Sequence, residues 1–231
     1  TGYAGLTIGA SGNTGAVDIN NITFEGNTTI YGGAMALETI TATNKNVTLE
    51  ARGGITDANG GTDNFALGNG TLSLTTLVNG DISTDTSTTG QINISAAYPG
   101  DVVCVDLDSS AATTNLGTIT LTGGFWGTLS LTSAGDITQS GVITTSYVNI
   151  TSSGNVDFST QENAIDAPNV CTIAGDFSLN NGDNSLTLTS SINTSSSNGA
   201  VTLDCGTGTL DTNNQIISAG NGTITLIADT I

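Results

Sequence analysis

Gly127-Thr-Leu-Ser-Leu-Thr-Ser-Ala-Gly-Asp-Ile-Thr-Gln-Ser-Gly141 contains two kinds of segment. In the first, Leu129 and Leu131 alternate with Thr128, Ser130 and Thr132. A period of two puts the leucines on one face and the hydroxyls on the other, the pattern of a half-buried strand. The second is Gly135-Asp136 followed by Ile137. There the glycine supplies backbone freedom for a corner. The aspartate closes a turn on nearby backbone, and the isoleucine opens the next strand.

Both segments recur along the chain. The alternating one returns as Asn46-Val-Thr-Leu-Glu-Ala51, Thr71-Leu-Ser-Leu-Thr-Thr76, Gln91-Ile-Asn-Ile-Ser-Ala96 and Thr118-Ile-Thr-Leu-Thr122. It continues as Tyr147-Val-Asn-Ile-Thr-Ser152, Ser185-Leu-Thr-Leu-Thr-Ser190, Ala200-Val-Thr-Leu-Asp-Cys205 and Thr223-Ile-Thr-Leu-Ile-Ala228. The corner segment returns as Gly54-Ile-Thr, Gly80-Asp-Ile-Ser, Gly100-Asp-Val-Val and Gly154-Asn-Val-Asp-Phe. Strand starts are spaced at one or two multiples of about 20 residues, the size of a solenoid coil. One coil cannot bury its apolar face alone. Stacking at about 4.8 Å per coil places Ile over Ile and Leu over Val in an internal column.

The expected fold is therefore all-β: a right-handed parallel β-helix of roughly ten coils, on the order of 50 Å long at that spacing. Residues 1–231 form one domain, either an excerpt of a longer solenoid or one subunit of a filament. A β-sandwich would use two-residue turns between paired strands. The Asn-Gly pairs at Asn69, Asn79 and Asn221 fall irregularly relative to the strands and read as corners. Pro99 and Pro168 are also placed in corners, and 195–198 is a polar loop. Only 33–39 and, more weakly, 161–167 have a helical look.

Composition narrows the function. Twenty acidic residues face only Lys45 and Arg52, a net charge of −18, and there is no histidine. Nucleic acid and anionic membranes are excluded as partners, because both need cationic side chains to neutralise phosphate. No apolar run is long enough for membrane insertion, and Thr1 does not open a basic, apolar leader. Without histidine, every His-dependent nucleophile or base is excluded. Asp106 and Asp108 share one strand face. They read as a solvated outer surface rather than a catalytic pair, so no enzyme is expected.

The runs 127–141, 46–56 and 147–160 resemble the repeats of filamentous-haemagglutinin-like adhesins, chains exported by two-partner secretion or as autotransporter passengers. The resemblance covers roughly residues 40 to 231. It implies a right-handed parallel β-helix at the bacterial cell surface, used for adhesion or display. Partners would be a host-cell, glycan or surface receptor. Two enzyme families on β-helices, pectate lyases and polygalacturonases, resemble the chain less. The lyases need a strong base and clustered Ca²⁺-binding aspartates.

The other site expectations are modest. A G-G-x-G-x-D calcium repeat is lacking, and Gly60-Gly61-Thr62-Asp63 matches it in part. Asp81 with Asp85, and Asp106 with Asp108, are the candidates for weak Ca²⁺ binding; no other cofactor or metal is expected. Cys171 and Cys205 are in phase with inward neighbours and read as core residues, with a disulfide through one of them as the alternative. Cys104 is out of phase with Val103 and Val105, facing outward. The only Trp, Trp126, sits beside Phe125, as a packed pair or a subunit contact. Asn-x-Ser/Thr sequons at Asn21, Asn27, Asn46, Asn69, Asn93, Asn149, Asn193 and Asn221 are sites for glycosylation.

Neither end of the chain has a capping helix. Either it is cut from a longer solenoid, or end coils of neighbouring subunits pair head to tail into a filament. Three function classes follow. The first is an extracellular structural or adhesive fibre. The second is a carbohydrate- or ice-binding solenoid using outward Thr arrays such as Thr118, Thr120 and Thr122. The third and least favoured is an enzyme, which would need a cleft of convergent carboxylates.

Overall fold

The computed structural model describes residues 2–60, 63–78, 80–98, 103–123 and 127–231. Phe125, Trp126, Pro99, Asn79 and the Gly61-Thr62 step lie outside the described residues. Strands and corners account for the rest, and every strand pairing is parallel. The chain is a β-solenoid of about nine turns, close to the ten expected. No described residue is helical. The helical-looking run 33–39 holds the strand Met35–Leu37, and 161–167 runs into the strand Ala164–Ile173. Each is too short to beat the pairing available on adjacent coils.

Axial columns of apolar side chains form the core, and three of them show its layout. One runs Ile8, Ile30, Leu49, Leu74, Ile94, Ile119, Ile143. A second runs Val17, Met35, Ile55, Ile82, Val105, Leu129, Val148. The third begins later, as Ile137, Val156, Phe177, Val201, Ile224. Between the terminal coils these residues are buried. The coil length is uneven, from 18 residues between Val17 and Met35 to 27 between Ile55 and Ile82. The surplus leaves as corner loops while the columns stay aligned. The register also breaks between Ile92 and Ile94, where strand Thr113–Gly123 divides. Its first part pairs with Asp136–Gln139 and its later part with Ile143–Ser152, which opens the third column.

The inward residue that closes a strand is often small and hydroxylated. Thr86, Ser109, Ser133 and Ser152 are buried and stacked on one another in register. Each accepts a hydrogen bond from the N–H two residues on: Thr88, Ala111, Gly135 and Gly154. Thr86 donates to Phe65 O at 3.2 Å, and Ser152 to Gly135 O at 2.9 Å. One hydroxyl thus shapes the local corner and can also tie it to a neighbouring coil, which removes the cost of burying it.

The outer corners work differently from the expectation that Asp or Asn closes its own turn. The carboxylate or carboxamide oxygen accepts from the backbone N–H of the next coil. Asp136 Oδ1 accepts from Asn155 N at 2.7 Å, Asn155 Oδ1 from Asp176 N at 2.9 Å, and Asp176 Oδ1 from Ala200 N at 2.8 Å. Asn27, Asn46, Asp81 and Asn93 do the same for Asn46, Thr71, Cys104 and Thr118. The glycines beside these residues are also needed for a reason other than turn freedom. Gly154, Gly175 and Gly199 are not left-handed. A Cβ on Gly175 would lie 2.2 Å from Asn155 Oδ1, and one on Gly199 would lie 2.1 Å from Gly175 O. They are glycine because coils stack there backbone against backbone.

Three buried asparagines bridge places where strand pairing lapses. Asn163 Oδ1 accepts from Ile143 N at 2.9 Å, and its Nδ2 donates to Phe158 O and Asn180 O at 2.9 and 3.0 Å. Gln139 Nε2 also donates to it. Asn181 accepts from Ile165 N and donates to Ile165 O, both at 2.9 Å. Asn64 Nδ2 donates to Glu38 O, and its Oδ1 accepts from Thr84 Oγ1 and Asp85 N. Pro168, placed by sequence in a corner, instead stands inside the strand Ala164–Ile173, opposite the register break between Val148 and Asn149. A bulge is the position in a sheet that tolerates a missing N–H.

Candidate functional surfaces

With the apolar side chains turned inward, what remains for function is the outer faces, the corner grooves and the two end coils. On one outer face the register stacks Asp85, Asp108, Thr132, Thr151, Thr172, Asn193 and Ser218 in a single axial line. Beside it run Ser83, Asp106, Ser130, Asn149 and Val170. Another face stacks Tyr31, Glu50, Thr75, Ser95 and Thr120. Threonine runs are thus at most a few coils long, broken by carboxylates, amides and Val170.

Asp85, Asp108 and Asp63 line a groove of about 390 Å³ with Ser110, Thr132 and Ser153. Asp63 is already engaged, accepting from Ser110 Oγ at 3.0 and 3.1 Å. The sequence paired Asp81 with Asp85 and Asp106 with Asp108. The structure keeps Asp106 and Asp108 together on the exposed face of one strand, sets Asp85 against Asp108 one coil on, and has Asp81 cap Cys104 N in the corner relay. Among the described residues no cluster of three or more Asp, Glu or Cys is arranged to hold a metal ion.

Two carboxylates have shifted acidity. Partial burial, and then the charge of Asp108, hold Asp106 above its ordinary value of 3.8. The Thr207 backbone N–H and then its hydroxyl hold Asp183 below it. A raised folded-state value means Asp106 contributes most to stability below pH 3.8. That contribution is lost as pH rises through the elevated value. Asp183 has the opposite sign: its contribution is present above 3.8 and fades as pH falls through its lowered value. Asp106→Asn is therefore expected to raise the thermal midpoint at pH 7 and to lose that advantage at pH 3. Calorimetry at the two pH values checks this; an unchanged or lower midpoint at pH 7 would contradict it.

Cys171 and Cys205 are buried free thiols that complete inward columns, as their phase predicts. Burial pushes the Cys171 thiol up to about 12. Burial and the charge of Asp204 push Cys205 to about 11. Cys104 lies on the exposed face of strand Val103–Ser109. Since the thiolate is the reactive form, a thiol reagent at pH 8 is expected to label only Cys104 in the native chain and all three cysteines in denaturant. Fast native labelling of Cys171 would contradict the core assignment.

No match to this chain is found among protein-family models, curated proteins or solved structures.

Of the sequon asparagines, Asn21, Asn27, Asn46, Asn69, Asn193 and Asn221 are exposed. Asn93 and Asn149 are half-buried. Asn149 donates to Ser130 Oγ while its own carbonyl oxygen is buried without a partner. At Asn27, Asn46 and Asn93 the carbonyl oxygen is committed to the next coil.

The end coils expose several large apolar side chains. At the first, Ile8, Val17, Ile19, Ile22, Phe24 and Ile30 line an open groove of about 290 Å³. Ile8 and Ile22 are each 40% exposed. At the last, Ile216 is 67%, Ile224 43% and Ile227 46% exposed. The strands Gly5–Ile8 and Ile224–Ile227 each pair on one side only.

Proposed function

We propose that the chain is a stretch of an extracellular structural or adhesive fibre, of the filamentous-haemagglutinin-like or autotransporter-passenger kind its repeats resemble. The observation that supports it is the stacking of coils along one axis, every described pairing parallel, with apolar columns inside and polar outer faces. A stack of this kind extends by adding another parallel coil to a strand edge. We propose that end coils of neighbouring copies stack head to tail, a contact that does not close on itself and so builds a filament.

The outer faces support a scaffold better than the runner-up reading. A carbohydrate- or ice-binding face would favour a flat, uninterrupted threonine array. Here Thr132, Thr151 and Thr172 are bounded by Asp108 and Asn193. An enzymatic role is not proposed, since Lys45 and Arg52 are the only cationic side chains and there is no histidine. The site of action proposed is the cell surface, with a glycan or protein receptor as the partner.

Electron microscopy over a concentration series tests the stacking. One copy spans about 45 Å at about 4.8 Å per turn. Rods several times that length, growing with concentration, are expected. A field of single short rods at every concentration would contradict head-to-tail assembly.

A further inference from the structure

Inward and outward positions stop alternating within the strand Ile143–Ser152. Thr145 and Val148 are buried, and both residues between them, Ser146 and Tyr147, are half-buried. On the next coil Ile165, Ala167 and Pro168 are buried, and only Asp166 among them is exposed. Tyr147 is the register partner of Ala167, which sets Ser146 across from Asp166. The outer row Cys104, Thr128, Tyr147 therefore ends on a methyl group. Thr187 and Thr189 come from the coil after, where Thr189 N and Oγ1 donate to Pro168 O at 3.3 and 3.1 Å. Where the row ends, these residues enclose a notch of about 200 Å³, lined by Ser146, Tyr147, Asp166, Ala167, Thr187 and Thr189.

Three polar groups in it are uncommitted. The side-chain oxygens of Ser146, Asp166 and Thr187 make no hydrogen bond among the described residues. Asp166 thus stands apart from Asp136 and Asp176, whose carboxylates are held by the next coil. Nor does the chain supply a cation for it. Lys45 and Arg52 lie several coils earlier, and residues 53–231 contain no lysine, arginine or histidine.

We propose that this notch takes a lysine side chain of a partner protein. An ammonium has three N–H donors and no acceptor, and the notch offers three oxygens as acceptors, one of them on a carboxylate. The Tyr147 ring adds an aromatic wall, which attracts a cation through its π face. The methylene stem of lysine is apolar and suits the Ala167 floor. An anionic ligand would be repelled by Asp166 and by the net charge of −18. A neutral sugar would engage the hydroxyls but leave the Asp166 charge without a counter-charge. The inference gives the protein receptor of the proposed function a chemistry, a basic surface, and rests on that reading for its setting only. Binding is read on single copies, whether or not they stack.

NMR titration of the 231-residue chain tests it, with a capped pentapeptide of one lysine among glycines and the same peptide carrying Nε-acetyl-lysine. Saturable shifts are expected at the Ser146, Ala167 and Thr187 amides. The acetylated peptide should bind ~tenfold more weakly or worse, the factor that one charge-assisted hydrogen bond supplies. Asp166→Asn should weaken the lysine peptide by a similar factor, and Asp108→Asn should leave it unchanged. Shifts spread evenly over Asp85, Asp108 and Asp166 would mean a diffuse counterion effect and overturn the proposal. Equal binding of the acetylated peptide would also overturn it, as would glucose or galactose saturating the same amides at lower concentration than the lysine peptide.

Discussion

Asn163→Leu is expected to destabilise the chain by roughly 4 kcal/mol. The leucine has similar volume but strands the Ile143 N–H, the Phe158 carbonyl and the Gln139 Nε2 donor in a buried site, while the Asn180 carbonyl keeps the Asn163 backbone N–H. Each abandoned buried group costs about 1–3 kcal/mol. The loss is expected at the coil boundary where the third column meets the first, because that is where the carboxamide replaces missing strand pairing. Urea denaturation monitored by circular dichroism measures it. A loss below about 1 kcal/mol would mean that Asn163 is not holding neighbouring coils together.

Gly199→Val carries the second large effect, about 3 kcal/mol or more, the upper part of the range for forced overpacking. The first atom added would sit 2.1 Å from the Gly175 carbonyl oxygen. Both are backbone positions on stacked coils, so no side chain can swing away. The neighbouring pairings Phe177–Val201 and Asp176–Ala200 would have to spread. Gly15→Ala is the control. A Cβ there meets nothing closer than Asn13 Oδ1 at 3.6 Å, and its backbone is not left-handed. Its effect should stay within about 0.5 kcal/mol. Equal tolerance of both substitutions would show that coils do not approach at Gly199 as closely as described.

The contrast between these two glycines marks what the sequence reveals and what it conceals. Alternation at Leu129 and Leu131, or Val148 and Ile150, sorts inside from outside, and the structure keeps that sorting in strand after strand. The strand-closing residues carried a readable signal too. Ser133 and Ser152 are in phase with the aliphatic positions before them, as Asn181 is with Phe177 and Leu179. A polar residue on an inward phase marks a buried bond. Asn163, in phase with Ile165, carries the same signal, set against the general tendency of asparagine to be exposed.

The corner relay was concealed for a different reason. Asp136, Asn155 and Asp176 look like turn formers, and the local explanation is sufficient in sequence. Their partners lie one coil away, at a step that varies from coil to coil because corner loops absorb different lengths. No fixed spacing announces the contact. The aspartates illustrate the same point: two residues apart, Asp106 and Asp108 were legible as neighbours. The Asp85–Asp108 juxtaposition needs the register of adjacent coils.

Backbone NMR on the outer line Asp108, Thr132, Thr151 and Thr172 tests parallel coil stacking most directly, because these positions are consecutive register partners. Amide-to-α-proton cross-peaks linking each residue to the neighbourhood of its partner a coil away are predicted, all running in one direction. Close α-proton to α-proton contacts between successive strands, the mark of antiparallel pairing, would contradict the solenoid.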